Sequence, residues 1–309
     1  MKKCFRLLSV FALLMLVATS GALGAGEKFV VASDIPWAPF EMVTPAGEFF
    51  GFDLDVVRAI GVVAGFTVEI KNTAFDTIIE AVLTGKADLG VSGFTITAER
   101  DENVDFSAPY LLSQQAIVMR KDATVNAVEA LAGKGPAKAV GAQNGTTGYD
   151  WAETGLVEKG FGVELKGYDT YPMAILDLVN RRIDAVIQDE PASKASLAAY
   201  PDALSIGAII NTYEYFGFLV ANGDPKGILP RVNAAMTTLG LERRTSADGK
   251  TELLITPGSA WYNLYRAYFG PSPDKIEAAW LATKNLILNA KTLADVQAFA
   301  LAFANEANK

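Results

Sequence analysis

The chain has 309 residues, half of them hydrophobic and one-fifth charged, with a formal net charge of −8. That is apolar material for about two folded domains, and the acidic balance excludes a basic nucleic-acid-binding surface. Histidine is absent and Cys4 is the single cysteine, which rules out histidine-dependent nucleophilic catalysis, imidazole metal ligands, an intramolecular disulfide and a thiolate metal cluster.

Lys2, Lys3 and Arg6 precede an apolar run from Leu7 to Ala18, and small residues follow through Ala25. This is the pattern of a secretory signal peptide over 1–25, cut after Gly24 or Ala25. The competing reading is a membrane anchor, but the run of about 12 residues falls short of the roughly 20 that span a bilayer. Cys4 lies before the run and is no lipid-attachment site. The mature chain is therefore expected in a periplasm, unanchored, with its net charge lowered from −8 to −11 by the loss of three basic residues.

Phe29–Ser33 reads as a buried strand, and Leu54, Val57, Ile60 and Val63 mark a helix over 54–64. Phe66–Ile70 is strand-like. Asp76 is a helix N-cap for a helix ending at Leu83, and Ala87–Val91 is the next strand. The order strand, helix, strand predicts an α/β fold with a largely parallel sheet. The pattern then restarts: strand 115–120, short helix 127–132, strand 137–142, a polar turn Gln143–Thr147 and a helix from Thr147. Residues 175–179 read as helix, 183–187 as strand and 226–240 as helix, whereas 241–258 read as irregular. Trp261–Phe269 and two helices within 273–309 complete the chain. Leu293, Val296, Phe299, Ala300 and Phe303 form a stripe that packs on the parent domain or, alternatively, on a second copy.

Four constellations carry chemistry. After strand 87–91 come Ser92, Gly93, Thr95 and Arg100. Small residues admit a ligand to the backbone, hydroxyls donate, and the guanidinium fork matches a carboxylate. The turn holding Gln143, Gly145, Thr146 and Thr147 opens a helix whose free N–H groups favour an anionic group, and it lacks the lysine of a nucleotide-binding loop. Asp189 lies at a strand end, where open α/β sheets bind ligands, and suits an ammonium group. Trp37 and Phe75 follow strands and offer an aromatic slot, with Asp34, Glu41 and Asp53 nearby. Each feature alone is equally an ordinary turn, cap or core residue; for Asp53, capping of its helix is the simpler reading. Together they are complementary to a free α-amino acid.

The ordered set Asp34, Trp37–Glu41, Gly51–Asp55, Phe75–Asp76, Ser92–Tyr110, Gly145–Thr147 and Arg182–Asp189 resembles the family-3 extracellular solute-binding proteins, receptors of polar amino-acid ABC importers. The resemblance spans roughly 28–272. It implies the two-lobed type II periplasmic-binding-protein fold, α/β, with two hinge crossovers. Lobe 1 would be 26–112 plus 218–272 and lobe 2 would be 113–217, with 273–309 as an added helical extension. It implies that Arg100 grips the α-carboxylate with help from Ser92, Gly93, Thr95, Thr146 and Thr147, and that Asp189 takes the α-ammonium. Trp37 and Phe75 would stack on the ligand side chain, Asp34 and Gln143 would serve its polar end, and Asp34, Glu41, Asp53 and the acidic balance favour a cationic or polar side chain. No cofactor and no metal is expected. The implied partners are a free amino acid, polar or basic by the acidic character of the site, and a membrane permease of an ABC transporter; nucleic acid is not among them. A monomer is expected, with a dimer through the C-terminal helices as the alternative. The family also contains periplasmic dehydratases of cyclohexadienyl substrates, for which Glu190 or Glu41 would be the acid, and sensors that present ligand to membrane receptors. Gly93 departs from relatives that carry a hydroxyl or alanine there, and 241–258 and 273–309 exceed the usual length.

Overall fold

The computed structural model describes residues 26–123 and 138–309. The expected signal peptide over 1–25, the short helix over 127–132 and the first residue of the 137–142 strand lie outside them. The chain forms β1 (Lys28–Ser33), the hairpin β2 (Met42–Val43) and β3 (Phe49–Phe50), α1 (Phe52–Ala64), β4 (Thr67–Asn72), α2 (Phe75–Leu83), β5 (Leu89–Gly90), α3 (Ala98–Asp101) and β6 (Val104–Phe106). The long β7 (Leu111–Arg120) leads to β8 (Lys138–Gln143), α4 (Thr147–Ala152) with a π-helical continuation (Glu153–Val157), β9 (Val163–Tyr168), α5 (Tyr171–Val179), β10 (Ala185–Asp189) and α6 (Glu190–Ala199). The equally long β11 (Leu204–Phe216) returns to β12 (Leu219–Ala221), α7 (Ile228–Thr238), the hairpin β13 (Leu241–Thr245) and β14 (Thr251–Ile255), and helices α8 (Ala260–Tyr268), α9 (Pro273–Leu288) and α10 (Leu293–Ala307).

Two five-stranded sheets, ordered β4-β1-β5-β12-β6 and β11-β7-β10-β8-β9, make two lobes. Within them β1 runs parallel to β4 and β5, and β8 parallel to β9 and β10. The sheets are nevertheless mixed, which corrects the expectation of a largely parallel one. β12 runs antiparallel to β5 and β6, and β7 antiparallel to β10 and β11. The reason is topological: β7 and β11 are the strands that carry the chain between lobes, and they run in opposite directions. They pair from Arg120 with Leu204 at one end to Leu111 with Phe216 at the other.

Local chemistry sets the element ends. α1 stops at Gly65, whose φ of 78° lets its N–H reach back to Gly61 O. α2 begins at Phe75 with Ala74 in the cap position, so Asp76 is no N-cap. It sits inside the first turn, where its charge faces the positive end of the helix dipole. The strand expected over 183–187 lies two residues later and ends on Asp189. Residues 241–255, expected to be irregular, form the β13–β14 hairpin. Its anchors are polar: Arg243 Nε donates to Pro109 O at 2.6 Å, and Tyr215 Oη donates to Thr251 O at 2.6 Å.

The C-terminal helices close the core of the first lobe. Val296, Phe299, Ala300 and Phe303 of the α10 stripe are buried within the chain and Leu293 partly so; packing on the parent domain accounts for the stripe, and it offers no free face to a second copy. Trp280 of α9 stacks on Phe50 at 4.8 Å and donates its Nε1–H to Asp55 Oδ2 at 3.0 Å. Tyr268 Oη donates to the same oxygen at 2.5 Å, and Arg58 Nη1 to Asp55 Oδ1 at 2.7 Å. Asp55 is fully buried, and these three donors make its burial tolerable.

Candidate functional site

The carboxyl ends of β1, β5, β8 and β10 meet between the lobes. These strand ends and the turns that follow them, with the turn after β4 that carries Phe75, bring eleven of the twelve candidate residues to one cleft: Asp34, Trp37, Phe75, Ser92, Gly93, Thr95, Arg100, Gln143, Thr146, Thr147 and Asp189.

Asp53 is the candidate that the structure places elsewhere. It is wholly buried in α1 and works from beneath: its Oδ2 accepts from Gly93 N at 2.9 Å and from Tyr110 Oη at 2.7 Å. It therefore fixes the backbone of the cleft floor and makes no contact with the cleft itself. Burial pushes its carboxyl up to about 7. Glu41 is buried behind the same floor and is also raised by burial, with Asp53 next in effect. Gly93 has a φ of 56°, and a Cβ there would lie 2.5 Å from Trp37 Cζ3, so only glycine leaves room for the indole. Trp37 in turn stacks on Phe40 at 4.7 Å and meets Tyr171 of α5 across the cleft at 6.0 Å.

Arg100 lies in the single turn of α3, whose N-cap Thr97 accepts from Arg100 N at 3.2 Å. Its guanidinium donates from Nη1 to Thr95 O and from Nη2 to Gly145 O, each at 2.9 Å, and lies over the rings of Phe75 and Phe94 at 5.7 and 5.3 Å. Phe75 and Phe94 are themselves stacked at 4.4 Å. Among the described residues no carboxylate oxygen comes within 4.0 Å of Arg100, and desolvation lowers its pKa. A half-buried fork with unused N–H groups favours an incoming anion.

Asp189 lies at the opposite side. Its Oδ1 accepts from Ser113 Oγ at 2.7 Å, and burial, then the charge of Glu214, pushes its carboxyl up to about 7. Asp34 is also raised, to about 6, chiefly by burial and against the hydrogen bond from Gln143. That bond crosses the cleft, Gln143 Nε2 donating to Asp34 Oδ2 at 2.6 Å. Thr146 caps α4 by accepting from Tyr149 N at 3.2 Å and holds Tyr171 Oη at 3.1 Å.

Three residues of the site were not foreseen. Tyr171 lines the cleft. Gln115 and Glu214 are buried against its wall, where Glu214 Oε2 accepts from Thr95 Oγ1 at 2.8 Å, Thr147 Oγ1 at 2.5 Å and Gln115 Nε2 at 3.3 Å. Their positions in sequence carry no turn or motif signal; Gln115 and Glu214 reach the cleft because the crossing strands do. Among the described residues no group of three acidic, cysteine or histidine side chains is placed to hold a metal ion.

The profile of the bacterial extracellular solute-binding proteins, family 3, matches residues 29–245. The chain is 31% identical over 219 residues to an arginine-binding periplasmic protein of Mannheimia haemolytica, covering 70% of this chain and 86% of that one. Its fold is similar to that of an ancestral arginine-binding protein bound to arginine, with a TM-score of 0.67 and 30% identity over 80% of this chain and all of the other. It is also similar to an ancestral amino acid-binding protein described as a precursor of cyclohexadienyl dehydratase, with a TM-score of 0.63 and 28% identity over 79% of this chain and 95% of that one.

Proposed function

The chain belongs to family 3 of the bacterial extracellular solute-binding proteins, and from that premise we propose that the cleft captures a free amino acid with a cationic side chain and delivers it to the permease of an ABC transporter. The observation that carries this reading is the half-buried Arg100 fork, free of any carboxylate partner among the described residues, facing a cleft also lined by Asp189 and Asp34. An α-carboxylate on Arg100 and an α-ammonium on Asp189 each replace lost hydration with a charge partner. The side-chain cation then reaches Asp34, and its alkyl stem lies against Trp37. Lobe 1 is assigned to 26–112 with 218–272 and lobe 2 to 113–217. No described helix is long and apolar enough to cross a membrane, and the assigned compartment is the periplasm.

A dehydratase reading is less well supported. It needs a carboxylic acid at the reacting group, and neither residue suited by sequence lines the cleft: Glu41 is buried behind the floor, and Glu190 opens α6 in an ion pair with Lys194 at 2.8 Å.

A thermal-shift panel of amino acids tests the proposal. Ligand at 100 times its dissociation constant stabilises the fold by about 2.7 kcal/mol, so arginine, lysine and ornithine should raise the melting temperature more than leucine or glutamate. Arg100→Ala should remove the shift while leaving the circular dichroism spectrum unchanged. A full shift in that variant would overturn the assignment of Arg100.

A further inference from the structure

With its carboxylates all ionised, the cleft holds more negative charge than a basic amino acid neutralises. Asp34 and Asp189 line it, Glu214 lies against its threonines, and Arg100 is the single cation among the lining residues. Three carboxylates thus face one guanidinium. A basic amino acid adds two cations and one carboxylate, which leaves one negative charge unmatched among buried carboxylates, and such a charge is costly. A dication without a carboxylate leaves none.

The hydroxyl protons point the same way. Thr95 Oγ1 and Thr147 Oγ1 have one proton each and both donate to Glu214 Oε2. A hydroxyl proton already given to Glu214 is not available to a ligand carboxylate. The donors assigned to the α-carboxylate are therefore held by a carboxylate of the protein.

The backbone is shaped to put it there. Ile210 pairs with Gln115 and Glu214 with Ser113, so β11 has three residues opposite one of β7. Within that bulge Tyr213 has φ 51°, a strained value for a residue other than glycine. A bulge of this kind re-aims the side chain that follows it. Glu214 and Asp189 are brought within reach of one another's field, and Ser113, opposite Glu214 in the ladder, holds Asp189.

We propose that Glu214 stands in for a ligand α-carboxylate, so that the cleft also takes a dicationic alkylamine: a primary ammonium joined by a flexible chain to a second ammonium or a guanidinium. The proposal rests on the reading of the cleft as a basic amino-acid site. The ammonium lies between Asp189 and Glu214, and the distal cation reaches Asp34.

Isothermal titration of the purified protein with L-arginine and with agmatine, which is arginine without its carboxylate, tests this. Wild type should bind both. In Glu214→Gln agmatine should weaken by about tenfold or more, the scale of one lost charged contact, while L-arginine tightens because the threonine hydroxyls are freed. Glu214→Asp keeps the charge and should retain more agmatine affinity than Glu214→Gln, which separates charge from any loss of folding. Arginine binding without agmatine binding in wild type, or an equal loss of both ligands in Glu214→Gln, overturns the role of Glu214. Failure of wild type to bind either ligand overturns the amino-acid reading beneath it.

Discussion

At the scale of single residues the site works by removing water from charges that a ligand then matches. Burial raises Asp189 to about 7 and Asp34 to about 6 in the free protein. A bound ammonium or guanidinium favours the ionised carboxylates, so the complex holds fewer protons than the free protein and capture releases protons. Affinity for L-arginine should therefore fall as pH drops through about 7 and again through about 6, measured by titration between pH 8 and 5. The ligand-free fold has the opposite dependence: with both carboxyls raised above their unfolded values, its stability contribution from them is larger at low pH and lost as pH rises. A flat affinity profile would mean that neither carboxylate faces the ligand cation. Gly93→Ala should also weaken binding, because its Cβ meets Trp37 at 2.5 Å from a left-handed backbone; loss of affinity and a shifted tryptophan emission would report the displaced indole. Most of this site was legible in the sequence because Ser92, Arg100, Thr147 and Asp189 follow strand ends, where turn chemistry is local. The sequence left the role of Asp53 open because an acid at a helix start looks the same whether it faces a ligand or braces a loop. Glu214 was missed because its direction depends on a bulge between strands distant in sequence.

At the scale of elements the C-terminal helices are part of the first lobe. Trp280 is 1% exposed, stacks on Phe50 and bonds Asp55, itself buried under Tyr268. Trp280→Ala should cost about 3–5 kcal/mol, the range for a large aromatic lost from a core, read as a lower denaturation midpoint in urea. An effect under about 1 kcal/mol, the scale of a surface substitution, would show that α9 is peripheral. Helices were readable from their spacing: Val296, Phe299, Ala300 and Phe303 fall on one face and are all buried. The β13–β14 hairpin was not, because Leu241-Glu242-Arg243-Arg244-Thr245 lacks an apolar alternation and is held instead by Arg243 on Pro109 and Tyr215 on Thr251. Strand direction was equally hidden, since β7 and β11 owe theirs to the crossing between lobes.

At the scale of the whole molecule the two lobes are tied across the cleft by Gln143 to Asp34, Arg100 to Gly145 O, and Trp37 against Tyr171. Every one of these contacts involves a residue next to the proposed ligand, so ligand and closure stabilise each other through the same side chains. α9 also touches α6 of the second lobe. The fold and the family match identify an amino-acid-binding protein, and the acidic lining of the cleft supports the proposed basic side chain. The direct test is isothermal titration of the protein with L-arginine, after unfolding and refolding to strip any ligand carried through purification. Saturable binding with one arginine per chain, absent in Arg100→Ala, is the predicted result. No binding of arginine, lysine or ornithine by the refolded protein would contradict the account.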